Sequence, residues 1–458
     1  MKRCDLILRS DRVVLEDTVQ ALAIGIEGGR IAFLAAKSLG AEADRDIDFG
    51  DRYIFPGAVD PHVHFKEPGP NTHREDWESG TRQAAAGGVT TVIEMPLSIP
   101  LTVNRPAFEA KMDIAAGKAH VDFALWAGMN AFAEGHYREL GDLGAVAYKV
   151  FLSTDPDSPR LGDYDFLRAL REVASFGGLV GVHAENYDII DNYCEKFRKE
   201  NRGDGRAHLD SRPDVAEMEA VQRALLFARE TGARMHICHL SSAKTADVMR
   251  FHRGRGADFT VETCHSYLTL DDSDLDRCGT RAKCNPPIRD KANREALWEM
   301  IMDGDIQMVA SDHSPYVDAD RELPLWESPP GLSGVDLAFP LMLDEGLNRR
   351  GLPAEELAGL ISTNAARRFG LYPQKGVIAV GSDADLAVVD PDAEWAWSWR
   401  LSLGKSREKA TPFEGRTIRG RILETYVRGV KVYDGLKNEV LARPGFGAFV
   451  RPVRNEDG

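Results

Sequence analysis

The chain has 458 residues, 43% of them hydrophobic, enough to bury a large core and to expect one big domain with a smaller one. Its 72 acidic against 57 basic residues leave a formal charge of −15 with no long Lys/Arg run, which argues against nucleic acid or an anionic membrane as partner. Six cysteines without a C-x-x-C pair make no disulfide framework, the charged start MKRCDLILRSDRVVLED does not suit a signal peptide, and no apolar run approaches about 18 residues, so a cytoplasmic protein is expected.

Residues 1–55 read as short alternating β runs, such as ALAIGIEGGRIAFLA at 21–35. Residues 56–371 then alternate β-rich runs with stretches of helical period. Strands are expected at 57–64, 89–95, 121–129, 145–152, 179–183, 235–240, 259–264 and 307–311. Helical periods at 74–86, 164–176 and 215–230 stop at Gly87, Gly177 and Gly232. Eight βα units imply an α/β fold, a (β/α)8 TIM-like barrel. An open doubly wound sheet is the alternative, and the lack of a G-x-G-x-x-G after the first strand counts against it. Residues 372–440 return to alternation in KGVIAVGSDADLAVVD and RILETYVRGVKVYDG. With residues 1–55 they are expected to form a small β-sandwich domain, followed by an extended tail at 441–458.

His62 and His64 stand one residue apart in IFPGAVDPHVHFKEPG. Side chains at i and i+2 of a strand point the same way, so both imidazoles can reach one metal ion. Lys149, His183, His239 and Asp312 sit at or near the ends of later predicted strands, the face on which such barrels build active sites. Singly each has an ordinary reading: a core histidine, a rim lysine, or in Asp312-His313-Ser314-Pro315 a turn opener. Five strands delivering such groups to one face are harder to explain by structure alone. His73, His120, His136, His208 and His252 read as solvated or capping residues, and His236, of opposite parity to His239, as packing between sheet and helices. Lys149 cannot ligate a cation as an ammonium. Its neutral amine can take up carbon dioxide, and the resulting carbamate has two oxygens able to bridge two metals.

The order H-x-H, Lys, His, His, Asp resembles the binuclear amidohydrolase superfamily. The segments VDPHVHFKEPG, GTRQAAAGGVTTVIEMP, VHAEN, KCNPPIRD, ASDHSP, TNAARRFGL and GVIAVGSDADLAVVD resemble its cyclic-amide branch of allantoinases, dihydroorotases and hydantoinases, over about residues 5–440. The resemblance implies two divalent metal ions, zinc for preference, sharing a hydroxide. His62, His64, N6-carboxylated Lys149 and Asp312 would hold one, and His183, His239 and the same carbamate the other. Asp312 would also carry the proton to the leaving nitrogen. A small cyclic ureide is then the expected partner and a homo-oligomer, tetramer or dimer, the expected assembly. A metal-free scaffold is the non-enzyme alternative, and six filled ligand positions oppose it.

Dihydroorotases read a substrate carboxylate with Arg, Asn and His where this chain has Lys66, Leu97 and Tyr316, and hydantoinases place a Tyr where it has Thr154. MPLSIP, AKCNPPIRD and SDHSPY are similar to the allantoinase pattern, making allantoin the first expected substrate and dihydroorotate or a hydantoin the next. Lys66 in place of Asn, Asn285, and PPGLSGVD in place of a glycine-rich loop depart toward the dihydroorotase style. Lys66 is either a rim lysine or a partner for an anionic substituent. Substrate contacts are expected from Lys66, Ser153, Thr154, Asn285, Tyr316, Gly331 and Gly334.

Overall fold

A computed structural model describes residues 4–40, 42–153, 159–409 and 411–453. Seventeen strands follow in chain order: β1 Cys4–Val14, β2 Val19–Glu27, β3 Arg30–Ala36, β4 Ala43–Asp48, β5 Tyr53–Pro56, β6 Ala58–Val63, β7 Val89–Glu94, β8 Asp122–Gly128, β9 Ala147–Phe151, β10 Leu179–His183, β11 Arg234–Ile237, β12 Phe259–Cys264, β13 Met308–Ala310, β14 Leu386–Ala396, β15 Thr417–Val427, β16 Val430–Asp434 and β17 Glu439–Val440.

Strands β6 to β13 run parallel, each beside its successor. A parallel bridge between Val63 and His313, with the His64 N–H donating to the His313 carbonyl at 2.8 Å, closes the circle just past β13. All of β6 to β10 is buried, as expected of strands covered on both faces, and this is why they read as apolar runs. Inside the barrel Trp126 packs with Ile93, Met308 and Cys238, and Phe369 lies 5.1 Å from Trp126 by ring centroid. The segment carrying Phe369 covers the end where strands begin, because Ser362 donates to Gly57 and Asn364 to Gln307 at strand starts. The opposite end, where strands exit, is left open.

The first barrel helix, Trp77–Ala86, starts three residues later than its period suggests. Asp76 stops it there by accepting from the Ser79 N–H at 2.8 Å, while the Ser79 hydroxyl returns the contact. Its end is capped by Gly87 as expected, and Gly88 at φ 77 then turns the chain away. The helices Asp163–Ala174 and Asp214–Thr231 match their predicted spans within two residues.

The terminal segments form one nine-stranded mixed sheet in the order β17-β16-β15-β14-β5-β1-β2-β3, with β4 paired to β1. The two ends of the chain meet at β5 and β14, antiparallel with Leu386 opposite Pro56, and Gly57 then leads straight into β6. A side chain at Gly57 would strike Thr90, so only glycine lets the sheet and barrel approach here. Buried Lys375 ties them together, facing Asp122 at the start of β8 as well as Asp383 and Asp385 at 3.0 and 2.7 Å. Beyond Leu441 the chain runs as an arm under the barrel. The Val450 N–H donates to the Phe123 carbonyl at 2.8 Å, using an edge of β8 that β9 reaches only at Trp126. Among the described residues no helix is long and apolar enough to cross a membrane, and all six cysteines are free.

Candidate metal centre and active site

The strand exits bring His62, His64, Lys149, His183, His239 and Asp312 to the floor of one cavity of about 590 Å³. His62 and His64 present their Nε2 atoms to Asp312 Oδ1, each at 3.3 Å. His183 Nδ1 and His239 Nε2 lie 3.0 Å apart, and the His62 and His239 rings are 5.2 Å apart. Two donor clusters therefore face one another. Lys149 enters from mid-β9, buried, its Nζ without an oxygen or nitrogen partner and lying 5.2 Å over the Phe151 ring.

Several ligand positions leave ordinary backbone geometry. His239 at φ 36 and Asp312 at φ 46 both adopt the left-handed conformation two residues past their strands, and Lys66 at φ 59 does so three residues past β6. Such residues are strained by the Cβ, and strain of this kind persists where surrounding contacts over-determine it.

Carboxylates set the imidazole tautomers. His62 donates from Nδ1 to Glu262 at 2.5 Å, which leaves Nε2 as a lone pair for the cavity. His183 donates from Nε2 to Glu185 at 2.7 Å, which leaves Nδ1. Burial opposes the charge on Glu185, yet paired Arg212 and His183 hold its carboxyl down at about 2. Burial keeps His62 neutral, pushing it down to about 4, and drives His64 and His239 well below the usual imidazole range. Burial raises Asp312, with His62 and Lys149 opposing. Neutral imidazoles, a carboxylate and a buried amine are a donor set that fits divalent cations once the amine is carboxylated. The Lys149 Nζ, which among the described residues has no oxygen or nitrogen partner, agrees with that fit. His62, Cys238 and Glu262 also come together. That group is a poorer cation site, because burial pushes the Cys238 thiol up to about 12 and Glu262 is occupied by hydrogen bonds on both oxygens.

Above the floor, Lys66, Ser153, Asn285, Tyr316 and Gly331 line the cavity. Lys66 Nζ donates to the Ser314 hydroxyl at 3.1 Å and lies 5.0 Å over the Tyr316 ring. Among the described residues no carboxylate is within ion-pair distance of it. Thr154 lies outside the described residues. Gly334 is not in the cavity wall: its N–H donates to His313 Nδ1 at 3.1 Å, and a side chain there would collide with His265. It holds the loop while Gly331 faces the cavity.

A family model for the amidohydrolase family matches residues 53–432. The chain belongs to the amidohydrolase family. Over 460 residues it is 40% identical to an allantoinase of Rubrobacter xylanophilus, covering 100% of this chain and 99% of that one. An allantoinase of Salmonella newport is 37% identical over 437 residues, covering 94% and 95%. Among solved structures, the L-hydantoinase (dihydropyrimidinase) of Arthrobacter aurescens superposes with a TM-score of 0.94 at 33% identity, covering 98% of this chain and 100% of the other. The dihydropyrimidinase of Brevibacillus agri superposes with a TM-score of 0.89 at 27% identity, covering 98% and 99%.

In this amidohydrolase several functional positions escaped the strand-end reading. The helix Tyr187–Lys199 turns Tyr187, Ile190, Asp191, Cys194 and Arg198 toward the cavity, a spacing of three and four residues that was legible as a helical face. His236 does not pack between sheet and helices but points into the barrel, between Trp126 and Phe369, and reaches Glu262. The parity argument failed because β11 ends at Ile237 and His239 reverses the backbone. His120 and His252 are buried rather than solvated. His208 is buried in the cavity wall, its Nε2–H donating to the Cys284 carbonyl at 2.9 Å.

Burial, with Arg212 and Lys283 nearby, pushes His208 down to about 3 from 6.5. The unfolded chain then takes up this proton first, so the contribution of His208 is present above pH 6.5 and is lost as pH falls toward about 3. The melting temperature is expected to fall on acidification across that window, and His208→Gln to show a shallower fall. Equal slopes in the two proteins would remove His208 from the account.

Proposed function

We propose that the chain is a metal-dependent cyclic amidohydrolase that opens the ring of a cyclic ureide, allantoin to allantoate in first place. The observation carrying the reaction class is the convergence of four imidazoles, Asp312 and buried Lys149 at one cavity floor. Support for allantoin comes from relatives named allantoinase at 37 to 40% identity along the chain.

His62, His64 and Asp312 would hold one divalent ion, His183 and His239 another, with Lys149 as its carbamate shared between them. Bound there, zinc or a similar ion supplies Lewis acidity and lowers the pKa of water from 15.7 toward about 7. Asp312 accepts the proton of the attacking water and returns it to the ring nitrogen. A C–O bond forms as the ring C–N bond breaks, giving a carboxylate and an N-carbamoyl group. Buried Phe151, stacked on His183, walls the floor from bulk water. A cytoplasmic homo-oligomer, dimer or tetramer, belongs to the same reading.

Lys66 favours a second reading, a ureide with an anionic substituent such as dihydroorotate, since its ammonium is buried without a carboxylate. Rates on allantoin, dihydroorotate, hydantoin and dihydrouracil, after reconstitution with metal and bicarbonate, separate the two. Allantoin is expected to lead. Lys66→Asn is expected to lower kcat/KM for dihydroorotate about tenfold, the worth of one charge-assisted hydrogen bond, and to leave allantoin nearly unchanged. Dihydroorotate turnover without allantoin turnover would reverse the order.

A further inference from the structure

Glu262 on β12 is fully buried beneath the proposed ligands. Its Oε1 accepts from His62 Nδ1 at 2.5 Å and from the His239 backbone N–H at 3.1 Å, and its Oε2 accepts from His236 Nε2 at 3.0 Å. His62 and His239 belong to different metal positions in the reading above, on which this inference rests. One carboxylate on β12 thus reaches β6 and the end of β11, under both positions. Glu185 differs: it touches one proposed ligand, His183, and spends its remaining charge on Arg212.

Both Glu262 oxygens are engaged as acceptors by three donors, so His62 carries its proton on Nδ1 and offers Nε2 to the cavity. The second acceptance by Glu262 Oε1 fastens the His239 N–H, at the residue whose φ of 36 is otherwise unfavourable. The same group therefore orients a ring for one position and a strained backbone for the other.

We propose that Glu262 is the positioning residue shared by both metal positions, so that weakening it loosens both ions together, whereas weakening Glu185 loosens one. Glutamine at 262 keeps size and one acceptor while removing the charge. Metal binding to the full chain is measured by chelator competition with zinc, and by the absorption spectrum of the cobalt-loaded protein. Glu262→Gln is expected to lower affinity for both equivalents about 10- to 100-fold and to change the cobalt spectrum. Glu185→Gln is expected to lower one equivalent only. Loss of a single equivalent in Glu262→Gln, or wild-type affinity and spectrum, would overturn the proposal while leaving the ligand reading intact. If Glu262→Gln does not fold, Glu262→Asp decides by the same count, because it keeps the charge but shortens the reach. A wild-type chain that binds no metal would overturn the ligand reading itself, and this inference with it.

Discussion

Lys149→Ala is expected to lose metal and activity together, the rate falling on the order of 10⁴-fold or more, as when one member of a catalytic unit is removed. Lys149 lines the same cavity floor as the His62–His64–Asp312 group and the His183–His239 group, and among the described residues its buried amine has no oxygen or nitrogen to receive it. A buried ammonium left so costs several kcal/mol, whereas a carbamate facing cations does not carry that cost. Alanine would remove the proposed bridging group but leave a cleft the size of the lost chain. Acetate or propionate is expected to enter it and restore part of both metal content and rate. Atomic emission on the purified variant, beside kcat with and without added carboxylate, makes the check. Unchanged metal content and rate would remove Lys149 from the site.

Asp312→Asn is expected to reduce kcat by about 10²- to 10⁴-fold, the range for loss of a positioned proton carrier, with a smaller change in KM. Asparagine is the informative replacement because Asp312 sits at φ 46, a conformation that Asn tolerates better than other residues with a Cβ. The fold and the loop after β13 should survive, so the loss reports on the carboxylate. Asp312 faces His62 and His64 at 3.3 Å, and burial has already raised its carboxyl, which makes it a better proton acceptor than an exposed one. Steady-state rates on the best substrate, with metal content measured in parallel, separate proton transfer from ligation. A kcat within threefold of wild type would exclude the proton-carrier role.

The barrel was legible because strands covered on both faces are largely apolar, and three of the intervening stretches showed a helical period ending at Gly87, Gly177 and Gly232. His62, His64 and His183 were legible for a related reason, since alternation and strand ends say where their side chains point. His236 was misjudged because alternation holds only while the strand continues, and β11 stops before His239. Glu262 gave no signal in one dimension, since it meets His62 across 200 residues of chain, whereas Glu185 stands two residues from His183 and was within reach of a local reading. Arg212 and His208 come from connections rather than strand ends, and the helix Tyr187–Lys199 showed its periodic face without showing that this face turns to the cavity.

The sequence by itself determined the class of fold, the six polar groups at strand exits and the two β-rich ends, because periodicity and residue chemistry are local properties. Only the tertiary structure decided which nitrogen His62 and His183 turn to the cavity, that among the described residues Lys149 has no oxygen or nitrogen partner and Lys66 faces the cavity without a carboxylate, and that Gly334 does not reach it. These depend on distances between residues far apart in the chain, which are set by packing of the closed barrel and not by any run of residues alone.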